Sequence, residues 1–515
     1  MILINSSARN SVKMFQPFFP VAVPVGVAVL LSILERDGVN AQFIDEQIEE
    51  DMLGRIRDMV APLSRPYIFG FSVLTASLKS ALVLAKQLKE VFPDSIVLFG
   101  GIHPTAMPDE VLGYEQVDVV VRGEADNIIT ELYHCLKKRS SLAHLPSVSW
   151  RNKGKVVHNP RSKEIADINA LPLFPYHRFT SPRYDLSFVV SSRGCPYECV
   201  FCSNRVVTGR RYRYREPVGI VNDLERLFND HKITSVVFLD DNFLVSKERI
   251  YGLIDEIVRR GLDKKMSFSF QARADNVDPE LLKDLFNAGF RSIFFGIESS
   301  SNKVLEFIKK KETVEQCVAA VKMAKEIGFH VSATFIFALP GEDYKVRMDC
   351  LRMSRDLHLD MVRFNNATPY PGTELYDFAM KEKRINIVGL YENFNSVSAF
   401  IEDPFHQIPF SYVPSGTTEA VIRRDILFSY FSFYFNIRIL KNIFGKPERG
   451  VGWFNAGKGL MTTLRKVPAV MLLFFFLGVK FLQLFYYMVF KKETAISFGA
   501  FLKVFEGLSL SRLRD

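Results

Sequence analysis

Ser192-Arg193-Gly194-Cys195-Pro196-Tyr197-Glu198-Cys199-Val200-Phe201-Cys202 decides how this chain is read. The stretch follows a short apolar run of strand length, Leu186–Ser191, and spaces its cysteines as Cys-x3-Cys-x2-Cys. Three thiolates on one loop can ligate three irons of a cubane cluster, leaving the fourth iron without a nearby protein ligand. A structural zinc site needs four ligands, and the loop holds no histidine; the nearest is His177. A disulfide within the loop would leave one cysteine over. Cys135, Cys317 and Cys350 are scattered through helical patterns and read as small buried apolar residues. Met1–Ser6 reads as a strand, not a signal peptide, so a reducing, cytoplasmic setting is expected, where close cysteines favour metal over disulfides.

Working outward, strand-like runs recur at Ser235–Leu239, Ser267–Gln271, Ser292–Phe295, His330–Phe337 and Asp360–Phe364, alternating with helical patterns such as Lys247–Arg259. Repeated βα units over 185–385 predict a partial (β/α) barrel with its chemistry at the C-terminal strand ends. Residues 1–140 also alternate strand and helix, which predicts an α/β, doubly wound parallel sheet with ligands at the carboxyl ends of its strands. Those ends read Ser72-Val73-Leu74-Thr75, Gly100-Gly101-Ile102-His103-Pro104-Thr105 and Arg122-Gly123-Glu124, where small residues let backbone approach a ligand closely. Residues 141–184 are polar, carry five prolines and read as a linker; 386–515 read as a largely helical C-terminal region.

Lys and Arg number 66 against 57 Asp and Glu, for a formal charge of +9. The basic residues do not interleave with aromatics in the manner of a nucleic-acid surface, so no nucleic-acid partner is expected. Their densest run, Arg205, Arg210, Arg211, Arg213 and Arg215, is either a solvated loop or a site for phosphate or carboxylate groups. Residues 419–441 are aromatic-rich, from Ile426 and Leu427 to Phe435, with Arg423, Arg424, Arg438 and Lys441 around them, and are expected to pack as core. Val467–Phe490 is a long apolar run between Arg465-Lys466 and Lys491-Lys492. Its length would span a bilayer, which needs ~20 apolar residues, but Lys480 lies near its centre, where charge is costly. An interfacial helix with snorkelling lysines is the preferred reading, ahead of a buried or dimer helix and a span.

The cysteine motif resembles that of the radical S-adenosylmethionine (SAM) superfamily. The resemblance implies that Cys195, Cys199 and Cys202 hold a [4Fe–4S] cluster whose open iron chelates SAM. Reductive cleavage then gives a 5′-deoxyadenosyl radical that removes hydrogen from an unactivated carbon. Other segments resemble the family pattern in order. Phe238-Leu239-Asp240-Asp241-Asn242-Phe243 stands where the family contacts the SAM amine, and Arg273 where it reaches the carboxylate. Glu298, in Phe295-Gly296-Ile297-Glu298-Ser299, stands near the ribose, and Ala338-Leu339-Pro340-Gly341-Glu342 beside the adenine. Read alone, the aspartates could be helix caps, Glu298 a surface carboxylate, and the Pro-Gly pairs, including Pro371-Gly372, plain turns.

Residues 1–140 resemble the cobalamin-binding domain that precedes the radical SAM core in one large class. Ser72, Leu74, Thr75, Gly100 and Gly101 resemble the elements lining the pocket for the nucleotide tail, with His103, Gly123 and Glu124 on the same strand-end loops. The family's Asp-x-His-x-x-Gly loop is missing, so the resemblance implies cobalamin with no histidine from that loop on cobalt. It also implies an electron donor such as flavodoxin or ferredoxin. The expected function is C-methylation of a small-molecule or lipid-like apolar substrate, with the protein peripheral on the inner membrane face. Radical cyclisation, rearrangement or carbon–carbon coupling of the tetrapyrrole cyclase type is the alternative. Ordered SAM-like contacts argue against a redox sensor. With Cys135 as its sole cysteine, the N-terminal domain lacks the second cysteine set that methylthiolation enzymes carry.

Overall fold

The computed structural model describes residues 1–8, 21–162, 168–395, 399–436 and 460–496, with 439, 499, 502 and 504; of 460–470 the backbone alone is described. Arg438, Lys441 and the side chains of Arg465, Lys466 and Val467 therefore lie outside the described residues. The described residues form two compact units, one from residues 1–8, 21–227 and 369–395, the other from 228–368 and the residues from 399 on.

The first unit is built on a seven-stranded sheet. Its strands are β1 (Ile2–Asn5), β2 (Gln42–Asp45), β3 (Ile68–Ser72), β4 (Ile96–Gly100), β5 (Val119–Val121), β6 (Val148–Asn152) and β7 (Lys155–His158), in the order β2-β1-β3-β4-β5-β6-β7. The first five are parallel. Their near-continuous apolar runs follow from burial on both faces. Ile2, Ile4, Phe69, Phe71, Val97, Phe99 and Val120 enter one core with Leu78, Leu82 and Leu88 of helix α1 (Leu78–Val91). Leu3, Ile68, Leu98, Val119 and Val121 alternate with them into the other core. The strands β6 and β7 form an antiparallel hairpin inside the stretch expected to be a linker. Lys153 (φ 49°) and Gly154 (φ 80°) make its turn, and two positive φ values in a two-residue turn suit a strand pair with right-handed twist.

In the second unit, β8 (Ser235–Phe238), β9 (Ser267–Ala272), β10 (Phe290–Glu298), β11 (His330–Phe337) and β12 (Met361–Asn366) run parallel, side by side in chain order. Buried Phe238, Phe243, Phe268, Phe270 and Phe290 pack together, with ring centroids as close as 4.8 Å. Helix α2 (Glu419–Tyr434) covers β12. The Tyr430 hydroxyl accepts from Phe364 N at 3.2 Å; the Tyr434 hydroxyl accepts from Val362 N at 3.2 Å and donates to its carbonyl at 2.8 Å. These hydroxyls satisfy backbone groups that would otherwise leave the strand open to pairing.

Helix α3 (Leu460–Phe485) packs one face on α2, with Leu484 and the following Tyr487 and Met488 against Leu427 and Phe431. Lys480 does not snorkel to water: it is buried on this inner face and donates to the Ala399 carbonyl at 2.9 Å. Burial pulls its ammonium down to about 8.

Buried charges join α2 to helix α4 (Tyr344–Asp356). Asp425 accepts from Arg347 at 2.8 Å and from Arg424 at 2.6 Å. Glu342 lies 3.6 Å from Arg347. Removing one partner of a buried pair leaves uncompensated charge, so Asp425→Asn is expected to cost about 3–5 kcal/mol in denaturant unfolding. Burial pushes the Glu342 carboxyl up to about 8, with Arg347 opposing. A folded-state value above the ordinary 4.5 supplies stability at low pH that is lost as pH rises toward 8. Unfolding free energy is therefore expected to fall less between about pH 5 and 8 in Glu342→Gln than in the wild type; equal slopes would mean that Glu342 is ionised throughout.

Candidate functional site

The cysteine loop belongs to the first unit. Its base is closed by antiparallel pairing of Ser192–Arg193 with Arg213–Tyr214. Gly194 sits at φ 81°, and a Cβ there would run into the Arg211 carbonyl, so only glycine fits ahead of Cys195. Within the loop, Cys202 N donates to the Cys199 carbonyl at 3.1 Å, and Leu375 N donates to the Val200 carbonyl at 3.0 Å. All three thiols are reduced and partly exposed. Among the described residues no three His, Cys, Asp or Glu side chains gather at one metal-ion position. Thiolates that bind separate irons of a cubane are spread apart, whereas ligands of a single zinc converge. Three cysteine thiols on one loop are the donor set that suits a cubane cluster with one open iron.

The arginine run following this loop is largely committed to carboxylates. Arg213 bonds Glu124 at 2.6 and 3.0 Å, and Arg193 reaches Glu124 at 3.3 Å and Asp126 at 3.0 Å. Arg215 pairs with Asp223, Arg205 with Glu374, and Arg210 with Glu198. The anion-site reading of the run is therefore corrected: four of its five arginines hold the hairpin and its surroundings together. Glu124, expected as a cofactor contact, is the nearly buried counter-ion of that hairpin.

At the carboxyl ends of β3, β4 and β5, the expected cobalamin loops lie on adjacent strands. Leu74 is 54% exposed, while Thr75 is buried. The Ser72 carbonyl accepts from the Ser6 hydroxyl at 2.7 Å, and Leu74 N donates to the Ser77 hydroxyl at 3.0 Å. Gly101 has φ 101°, and a Cβ there would lie 2.8 Å from the Val73 carbonyl. Gly100 has ordinary space around it. The Thr105 hydroxyl donates to the Gly101 carbonyl at 2.6 Å and accepts from Gly123 N at 2.9 Å, tying two loops together. A close-set backbone with one exposed leucine fits a large ligand lying across the strand ends. His103 does not face it: the ring is fully buried edge-on to Tyr391, and burial pulls it down to about 4.

In the second unit, the expected SAM contacts divide. Asp240 is fully buried and paired with Arg249 at 3.0 Å, whereas Asp241 beside it is partly exposed. Arg273, expected at the SAM carboxylate, turns inward, bonding Asp275 at 2.9 Å and the Lys310 carbonyl. Glu298 sits at φ 68°, a strained backbone for a non-glycine residue. Its Oε1 lies 3.5 Å from Lys310 Nζ, its Oε2 is buried without a hydrogen bond, and burial raises its carboxyl. The side-chain carbonyls of Asn242 and Asn366 are likewise buried and unbonded. An unmet buried acceptor costs ~1–3 kcal/mol. Three of them at or just past the carboxyl ends of β8, β10 and β12 fit a polar ligand such as SAM. Asn366, Lys310 and Glu312, whose carboxylate lies 3.5 Å from Lys310 Nζ, were not singled out from the sequence. The position of Asn366 at the end of the sixth strand-like run was the available signal, whereas nothing local marks Lys310 or Glu312.

Residues 189–353 match the radical SAM superfamily model and residues 18–133 the B12 binding domain model. An uncharacterized methyltransferase of Pyrococcus horikoshii is 29% identical, covering 82% of this chain and 90% of that protein. The anaerobic magnesium-protoporphyrin IX monomethyl ester cyclase of Cereibacter sphaeroides is 25% identical, covering 84% and 69%. The hopanoid C-3 methylase of Methylococcus capsulatus is 26% identical, covering 68% and 67%. The solved structure of the cobalamin-dependent SAM radical enzyme OxsB, with aqua-cobalamin and SAM bound, is similar in fold, with a TM-score of 0.67 at 18% identity over 98% of this chain and 74% of that one. The radical SAM domain implies a [4Fe–4S] cluster and SAM, and the B12-binding domain implies cobalamin. A radical SAM domain and, ahead of it, a B12-binding domain are thus both present in this chain.

Proposed function

We propose that this enzyme C-methylates an unactivated carbon of an apolar, lipid-like substrate. The observation that carries the reading is the cysteine hairpin, three partly exposed thiols on one loop secured by Glu124. When bound, the cluster with SAM supplies one-electron chemistry that generates a carbon radical, and cobalamin supplies a methyl group. Cys195, Cys199 and Cys202 hold the cluster. Asp241, Glu298, Asn242 and Asn366 offer acceptors to the amine and hydroxyls of SAM. Leu74 and the backbone at Gly101 cradle cobalamin, beside Ser72, Thr75, Gly100 and Gly123. The similarity to a hopanoid methylase supports an apolar substrate. Flavodoxin or ferredoxin is the electron donor, and the enzyme works from the cytoplasmic side at a membrane surface.

A radical cyclisation is the second reading, favoured by the 25% identity to a tetrapyrrole cyclase over 84% of this chain. The two separate in one anaerobic assay of reconstituted protein with hydroxocobalamin, SAM, reductant and a candidate lipid. Methyl transfer is expected to yield S-adenosylhomocysteine together with 5′-deoxyadenosine and a product one methylene heavier. Deoxyadenosine with a dehydrogenated or ring-closed product, and no S-adenosylhomocysteine, would favour cyclisation. Cys199→Ala is expected to abolish deoxyadenosine formation; unchanged formation would remove the cysteine assignment. Glu298→Ala is expected to weaken SAM binding about tenfold or more with the cluster absorbance intact.

A further inference from the structure

From Met471 on, the outer face of α3 and its continuation is apolar and exposed. Met471, Phe474, Phe475, Leu482, Tyr486 and Phe490 repeat at helical spacing and are all more than half exposed, Leu482 at 65% and Phe490 at 69%. The opposite face carries Lys480, Leu484 and Met488 and is buried on the protein. An exposed apolar patch of bulky residues marks a docking surface. The charge distribution says which kind. Residues 436–515 contain 13 Lys and Arg against 4 Asp and Glu, so the whole formal charge of +9 falls in the last 80 residues, and residues 1–435 are neutral. An apolar helical face within a segment that concentrates the protein's positive charge is the combination that binds anionic bilayers.

We propose that the outer face of α3 docks this enzyme on the surface of an anionic lipid bilayer, lying in the interface instead of crossing it. Met471–Phe490 is long and apolar enough to cross a membrane. The inner face nonetheless remains on the protein, with Lys480 bonded to Ala399 and Tyr487 bonded to Gln407 at 3.2 Å. Crossing would strip those contacts and carry Lys480 into hydrocarbon. Partition of six large apolar side chains supplies the binding, and the net positive charge of the segment adds attraction to an anionic surface. The inference rests on the lipid-like substrate reading for its purpose and not for its evidence.

The test is flotation of the full-length reconstituted protein with vesicles of phosphatidylcholine alone or with phosphatidylglycerol, without SAM. Binding to the anionic vesicles is expected at low salt, at least tenfold tighter than to phosphatidylcholine, and weakened severalfold at high salt. Phe474→Glu with Phe475→Glu changes only exposed positions and is expected to reduce binding at least tenfold. Methylation of a detergent-dispersed substrate should be unchanged in this variant. Failure of the wild type to float, or equal flotation of the variant, overturns the proposal. So does a wild-type dimer in solution that the double substitution converts to monomer, because the face would then be a subunit interface. Because flotation needs no turnover, a wrong substrate assignment would leave these results unaffected.

Discussion

One carboxylate anchors the candidate active loop. Glu124, at the end of β5, bonds both Arg193 and Arg213, the residues paired at the base of the cysteine hairpin. A buried ion pair adds little net stability, but losing one partner leaves a buried charge unmet. The cost therefore falls on any state in which the hairpin leaves its place. Geometry rather than gross stability is what the pairing secures. The three thiols need fixed separations, and Gly194, which nothing larger can replace beside Arg211, sets the direction in which the loop starts. The B12-binding sheet and the cysteine loop are in this way parts of one unit.

The second unit keeps its polar groups at one end of a strongly apolar sheet. Packed phenylalanines fill its interior, and the unmet acceptors of Asn242, Glu298 and Asn366 sit at or beyond the strand ends. Such acceptors are tolerated where a ligand completes them. The strained Glu298 backbone is a second cost in the same place, and strain of this kind collects at functional sites. The C-terminal helices are bound to this unit by buried charge: Asp425 joins Arg347 and Arg424, and Arg424 reaches the Thr494 carbonyl at 2.8 Å.

Much of this was legible in the sequence because two periodicities and one spacing carry it. Apolar runs of strand length separated by helical patterns gave both parallel sheets, and Cys-x3-Cys-x2-Cys gave the loop. What sequence could not give was the direction of individual charged side chains. Asp240 and Arg273 sit at the expected strand ends but turn into the protein toward Arg249 and Asp275, partners nine and two residues away that no local pattern distinguishes from solvent. His103 and Glu124 likewise turn away from solvent, His103 into buried packing beside Tyr391 and Glu124 toward distant arginines. The hairpin at 148–158 was hidden by the flanking prolines and polar residues, although Lys153-Gly154 was a readable turn. Lys480 looked like a charge in search of water; its partner, a carbonyl 81 residues earlier, has no signature.

The central claim is that this loop holds a four-iron cluster with one iron open to SAM. Mössbauer spectroscopy of the protein reconstituted anaerobically with 57Fe, with and without SAM, tests it most directly. A [4Fe–4S] spectrum in which one iron of the four changes its isomer shift on adding SAM is the expected result. A spectrum of mononuclear or two-iron species, or four-iron signals indifferent to SAM, would contradict the account.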